Sequence, residues 1–187
     1  MAPLQLKNVL IYNLAIGPKK VCAYTPSLAG PSLTSTAKIY MIVAPGFDGT
    51  IYYVGQTSQS IPARFADGFR EGNYQWAREG ESYTLFVWDV QEHADGTLDL
   101  QAIEAELVFA VRIAQRAWPK HQAGIYFRHL VDQKGHQTAP YLAIAMIAQY
   151  YDNLLYRRDA AGQPELGIGR EKESLMETLR TLILPGT

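Results

Sequence analysis

The stretch KIYMIVAPGFDGTIYYVGQTSQSIPARF, residues 38–65, decides how this chain is expected to fold. Lys38 to Ala44 is rich in β-branched and aromatic residues, and Pro45-Gly46-Phe47-Asp48-Gly49 after it is a turn signal. Thr50 to Gly55 returns to strand composition, so the two runs should pair as a hairpin. Ser60 can cap a helix that has Pro62 in its first turn. That helix should reach about Phe69, with Gly68 and Gly72 marking its end.

Downstream, Tyr83 to Val90 reads as a third strand and Ala94-Asp95-Gly96 as a turn. Asp99 should cap a long helix, Leu100 to Ala117, whose Ile103, Leu107, Ala110, Val111 and Ala114 recur at helical spacing. Pro119 should end it. Two further helices are expected at Pro140–Tyr156 and Arg170–Leu184, with a loop over 158–169 and a stop at Pro185-Gly186. Upstream, residues 24–37 are rich in Pro, Gly, Ser and Thr and read as a linker. The expected fold is α+β and layered. A small, mostly antiparallel three-stranded sheet is flanked by helices. The parts are an N-terminal arm (1–37), a core (38–124) and a C-terminal helical extension (125–187) packed on that core.

Composition bounds the function classes. The 187 residues are 48% hydrophobic and 19% charged, which excludes wholesale disorder. A net charge of -1 excludes a polybasic protein, so any surface for a polyanion must be local. Residues 1–37 carry three lysines and no acid, while 76–125 carry four bases against eight acids. Cys22 is the single cysteine, which excludes an internal disulfide framework and a Cys-rich zinc site. It is expected to be a small buried hydrophobe. The apolar run Val9 to Ile16 lacks a basic leader, and no stretch approaches the ~20 apolar residues of a membrane helix. A cytoplasmic protein with no membrane partner is the expectation.

The chemistry-bearing residues lie in one order. Lys38-Ile39-Tyr40 opens the hairpin, and Tyr53-Val54-Gly55 closes it with Tyr53 13 positions after Tyr40. Gln56 and Thr57 follow, then Arg64 in the first helix, then Glu104 in the second. This set resembles the GIY-YIG nuclease superfamily over roughly residues 38–120. The resemblance implies that Tyr40, Tyr53, Arg64 and Glu104 are catalytic. It further implies that Glu104 holds Mg²⁺ (or Mn²⁺), and that Lys38, Gly55, Gln56 and Arg70 lie against the substrate. The sequence departs from the family at Lys38, where Gly is usual, at Gln56, where Lys is frequent, and at Gly68, where His is frequent.

Phosphodiester cleavage needs a nucleophilic water, charge stabilisation at the phosphoryl oxygens and help for the leaving oxygen. A helix carboxylate can hold Mg²⁺ and leave its other positions to water and phosphate. A guanidinium offers a planar donor fork to phosphate. A tyrosine hydroxyl, with an ordinary pKa of ~10, can orient a water or take its proton with help from positive charge. Each residue also has a plainer reading. Strand tyrosines commonly pack on a core, and an arginine on a helix commonly faces solvent. Glu104 borders an apolar stripe, where an unpaired carboxylate is costly, and Glu106 is the fallback ligand.

Other groups carry weaker signals. His93 and His121 are candidates to replace a missing accessory group, whereas His121, His129 and His136 are too spread for a local metal motif. Gly167-Ile168-Gly169-Arg170 reads as a turn and cap before an anion site. Tyr74 and Trp76 suit base stacking or core packing equally. The sequence therefore points first to a metal-dependent endonuclease acting on nucleic acid, DNA before RNA. A non-catalytic nucleic-acid-binding module and a nuclease toxin or effector are the alternatives. The C-terminal helices are free for a homodimer or another protein partner.

Overall fold

A computed structural model describes residues 6, 9–46, 49–77, 82–91, 100–123, 138–160 and 168–183. Its strands are β1 (Leu10–Ile16), β2 (Cys22–Thr25), β3 (Lys38–Val43), β4 (Ile51–Thr57) and β5 (Ser82–Asp89). Its helices are α1 (Ile61–Arg70), α2 (Leu100–Gln115), α3 (Ala139–Ala160) and α4 (Ile168–Ile183). The class is α+β, as expected. Among the described residues the sheet has five strands, not three, in the order β2-β1-β5-β3-β4, and every neighbouring pair is antiparallel.

The two extra strands come from the region read as an arm and linker. In β1, Tyr12, Leu14 and Ile16 are buried while Asn13 and Ala15 are exposed. That period-2 alternation is a half-buried strand, and it pairs with β5 from Leu10↔Val87 to Ala15↔Ser82. β2 adds outside it, with Tyr24 and Thr25 drawn from the supposed linker. The expected β3–β4 hairpin forms. Helix α1 is capped as the sequence predicts, with the Ser60 hydroxyl oxygen accepting from the Ala63 N–H at 3.4 Å. Helix α3 runs to Ala160 rather than Tyr156. Asp99, the 94–96 turn, Pro185-Gly186 and most of the 158–169 loop lie outside the described residues.

Each sheet face buries its own cluster. Ile39, Met41, Val43, Phe86 and Trp88 pack beneath α2, α3 and α4. Tyr40, Ile42, Leu14, Leu85 and Val87 pack beneath α1 and the Tyr74–Ala77 segment. Alternation along β3 accounts for both clusters, and all six of its residues are buried. Helix α3 is tied to the sheet by polar contacts. The Trp88 indole N–H donates to Gln149 Oε1 at 2.8 Å, and the Tyr150 hydroxyl donates to the Gly49 carbonyl at 2.5 Å. Among the described residues no helix is long and apolar enough to cross a membrane.

Candidate active site

Strand β4 is the sheet edge on which the site is built, and it is irregular. Ile42 pairs with Tyr53, but Val43 pairs with Ile51, so Tyr52 is an extra residue in a β-bulge. Ile51 and Val54 therefore join the α2–α4 cluster, while Tyr52 and Tyr53 both pack on the α1 side. Tyr40 stands opposite Gly55 in the ladder. A Cβ at Gly55 would lie 2.5 Å from the Tyr40 hydroxyl and 2.8 Å from Tyr53 Cε1. Glycine is required there because the two rings occupy the side-chain space.

Tyr40 is wholly buried and its hydroxyl lies 2.8 Å from that of Tyr74. The Tyr40 and Tyr53 ring centroids are 6.2 Å apart, and those of Tyr53 and Tyr74 are 5.9 Å apart. The Arg64 guanidinium stands 5.7 Å from the Tyr74 ring centroid. Its buried Nε has no hydrogen-bond partner among the described residues.

Glu104 reaches this group from the opposite face of the sheet, around the edge. Gln122 makes the connection. Its Oε1 accepts the Val54 N–H at 3.1 Å, and its Nε2 donates to Glu104 Oε1 at 3.3 Å. Lys120 and His121 bond the same edge, donating their backbone N–H groups to the Ile51 and Tyr52 carbonyls at 3.0 Å each.

The electrostatics follow from partial burial. Burial pushes the Glu104 carboxyl up to about 7 against the opposing pull of Arg64 and the Gln122 hydrogen bond. Burial also pushes the Tyr53 phenol up to about 12, with the Glu104 and Tyr74 charges adding and Arg64 opposing. Tyr40 is raised well above its ordinary value, by burial first and then by Tyr74 and Tyr53. For Arg64 burial works against the charge, yet the hydroxyls of Tyr40 and Tyr74 hold it above the ordinary arginine value. At neutral pH the site is a fixed cation, protonated phenols and a carboxylate near its titration midpoint.

Of the residues the sequence singled out, Tyr40, Tyr53, Gly55, Arg64 and Glu104 come together. Lys38 does not join them. It is fully buried, and its ammonium donates to Thr34 O at 2.7 Å, Thr36 O at 2.5 Å and Thr36 Oγ1 at 3.3 Å. It closes the loop before β3. Arg70 is exposed and pairs with Asp67 at 2.6 Å. Gln56 is half-buried opposite Ile39. Tyr74 and Trp76 are buried, so core packing is their place. Glu106 is raised by burial alone. Cys22 is half-buried and its thiol is raised, by burial first. The His121 ring stacks 5.6 Å from that of Tyr52. His93, His129, His136 and Gly167 lie outside the described residues.

Gln122 is the member that sequence reasoning missed, and Tyr74 reads from the sequence as a stacking or core aromatic, not as a partner of Tyr40. A signal for Tyr74 was present in Gly68. A glycine inside a helix needs a packing reason, and here a Cβ at position 68 would strike the Tyr74 ring. Gln122 had none, since a lone glutamine after a helix carries no pattern. We expect Tyr74→Phe to cost about 1–2 kcal/mol by leaving the Tyr40 hydroxyl short of a partner. Thermal unfolding measures this, and an unchanged midpoint would show that the pair contributes nothing. No family model, curated protein or solved structure matches this chain.

Proposed function

We propose that the protein is an endonuclease that hydrolyses phosphodiester bonds of nucleic acid, DNA in the first place, with Mg²⁺ or Mn²⁺ held by Glu104. One observation carries this reading. A guanidinium, a phenol hydroxyl and a carboxylate raised by burial converge on one sheet edge, each with partial exposure. A carboxylate that burial raises against the pull of Arg64 and Gln122 is one whose charge is under-compensated, and a cation relieves that. Among the described residues no three His, Cys, Asp or Glu side chains gather. The fit is therefore to a hard cation taking one protein carboxylate and completing its shell with water and phosphate oxygens, the habit of Mg²⁺.

When bound, such a cation supplies Lewis-acid stabilisation and a more acidic bound water. The chain's own groups do the rest. Arg64 offers its fork to the non-bridging oxygens, where negative charge grows. Tyr53 keeps its proton at neutral pH and orients the attacking water by hydrogen bonding. Tyr40 is sealed from solvent and acts through the others, as a positioning residue for Arg64 and Tyr53.

Incubation with supercoiled plasmid, single-stranded DNA and RNA, with Mg²⁺ or Mn²⁺ and with chelator, tests the proposal. The expected result is metal-dependent nicking, absent in a folded Arg64→Ala chain. No cleavage of any substrate with either metal would overturn it.

A further inference from the structure

A groove of about 520 Å³ lies between the start of β4 and the end of α2. Ile51 and Gln115 form part of its wall, with Trp118 and Lys120 beside them. The groove is built, not incidental. Gln115 Nε2 donates to the Gly49 carbonyl at 2.6 Å, and its Oε1 accepts the Ile51 N–H at 3.3 Å, which fixes the chain on both sides of Thr50. Trp118 is 38% exposed, unlike the buried Trp76 and Trp88. The Arg112 guanidinium lies 5.7 Å from the Trp118 ring centroid, and Lys120 Nζ lies 4.6 Å from that of Tyr52. Among the described residues the groove lining includes no carboxylate. It therefore joins an aromatic face to cationic groups.

Position relative to the site gives the groove its meaning. Lys120 is bonded to Ile51, and Gln122, two residues on, is bonded to both Val54 and Glu104. Because Tyr52 is bulged out, Ile51 and Val54 span only two ladder steps, at ~3.3 Å per step about 7 Å. A strand whose phosphate lies at Arg64 and Glu104 thus has its neighbouring nucleotides within reach of the groove.

We propose that this groove binds an unpaired nucleotide flanking the cleaved phosphodiester, its base stacked on Trp118 and its phosphate met by Lys120. The inference deepens the nuclease reading and rests on it for the identity of the ligand. Both faces of a base inside a duplex are already stacked on neighbours. An aromatic ring in a concave groove therefore selects a base that has been freed. The substrate class is nucleic acid that is single-stranded beside the scissile bond.

Fluorescence anisotropy of a labelled single-stranded 20-mer, measured in chelator so that nothing is cut, tests this directly. Trp118→Ala should weaken binding about tenfold, the scale of a lost stacked base, while Trp118→Phe should retain most of the affinity. Lys120→Ala should lower the log–log salt slope by ~0.7, the single-strand value for one phosphate contact. Tyr156→Ala, on the exposed face of α3, should change nothing. Unaltered affinity in Trp118→Ala, a wild-type chain that does not bind the 20-mer, or blunt duplex bound as tightly as the single strand would each overturn the groove assignment. Trp118-dependent binding without cleavage under any metal condition would uphold the groove and overturn the nuclease reading.

Discussion

A Glu104→Ala chain is expected to remain folded and to lose about 10²–10³-fold in phosphodiester cleavage, the scale for removing a key charge-stabilising group. The same carboxylate sets a pH dependence of stability in metal-free buffer. Its folded value, about 7, stands above its ordinary 4.5. A group raised on folding contributes fully below its unfolded value and loses that contribution as pH rises through the folded one. Wild-type stability should therefore decline between about pH 4.5 and 7 relative to a Glu104→Gln chain. From below pH 4.5 to above pH 7 the gap should move by about 3 kcal/mol in favour of the Gln variant, the linkage value of the shift. Urea unfolding of both chains at pH 4, 6 and 8 measures the difference. A gap that does not change with pH would show that Glu104 ionises freely. Adding Mg²⁺ at pH 8 should stabilise the wild type and leave Glu104→Gln unmoved.

Gly55→Ala carries the second large effect. The new methyl falls among atoms of Tyr40 and Tyr53, two rings already packed against each other. Over-packing of this kind costs about 1–3 kcal/mol, and neither ring has an easy exit. Tyr40 is hydrogen-bonded to Tyr74 and sits edge-on to Phe65 with ring centroids 5.5 Å apart. Tyr53 is the ring with partial exposure, so relief should come from displacing it, and with it the hydroxyl proposed to orient water. Cleavage should fall by more than the loss of stability explains, with the variant still folded at 25 °C. A Gly55→Ala chain with wild-type cleavage and unfolding midpoint would show that the close approach is unimportant.

The hairpin, α1 with its Ser60 cap, β5 and α2 were legible because composition, period and punctuation agreed over each of them. β1 was not, although Tyr12, Leu14 and Ile16 alternate with Asn13 and Ala15. The length of the apolar run drew attention away from its period. β2 was hidden because it runs into a stretch rich in turn residues and is only half-buried.

At the site, Tyr53, Arg64 and Glu104 were readable from motif order. Lys38 misled, because main-chain carbonyls of its own loop satisfy its ammonium and a sequence does not display them. Tyr74 was visible only as the gap it fills at Gly68. Gln122 joins β4 to α2 by contacts 68 and 18 residues away along the chain, beyond any local pattern.

The bulge at Tyr52 has an evolutionary consequence. On either side of it the ladder keeps step, with Val43 against Ile51 and Ile42 against Tyr53. Deleting this residue would keep the ladder partners of β4 in register and would remove the ring that packs on Tyr83 and the carbonyl that accepts the His121 N–H. A single-residue length change can therefore add or remove the aromatic that faces Lys120 and His121. The composition of this edge can change by insertion and deletion while Tyr40 keeps its register against Gly55.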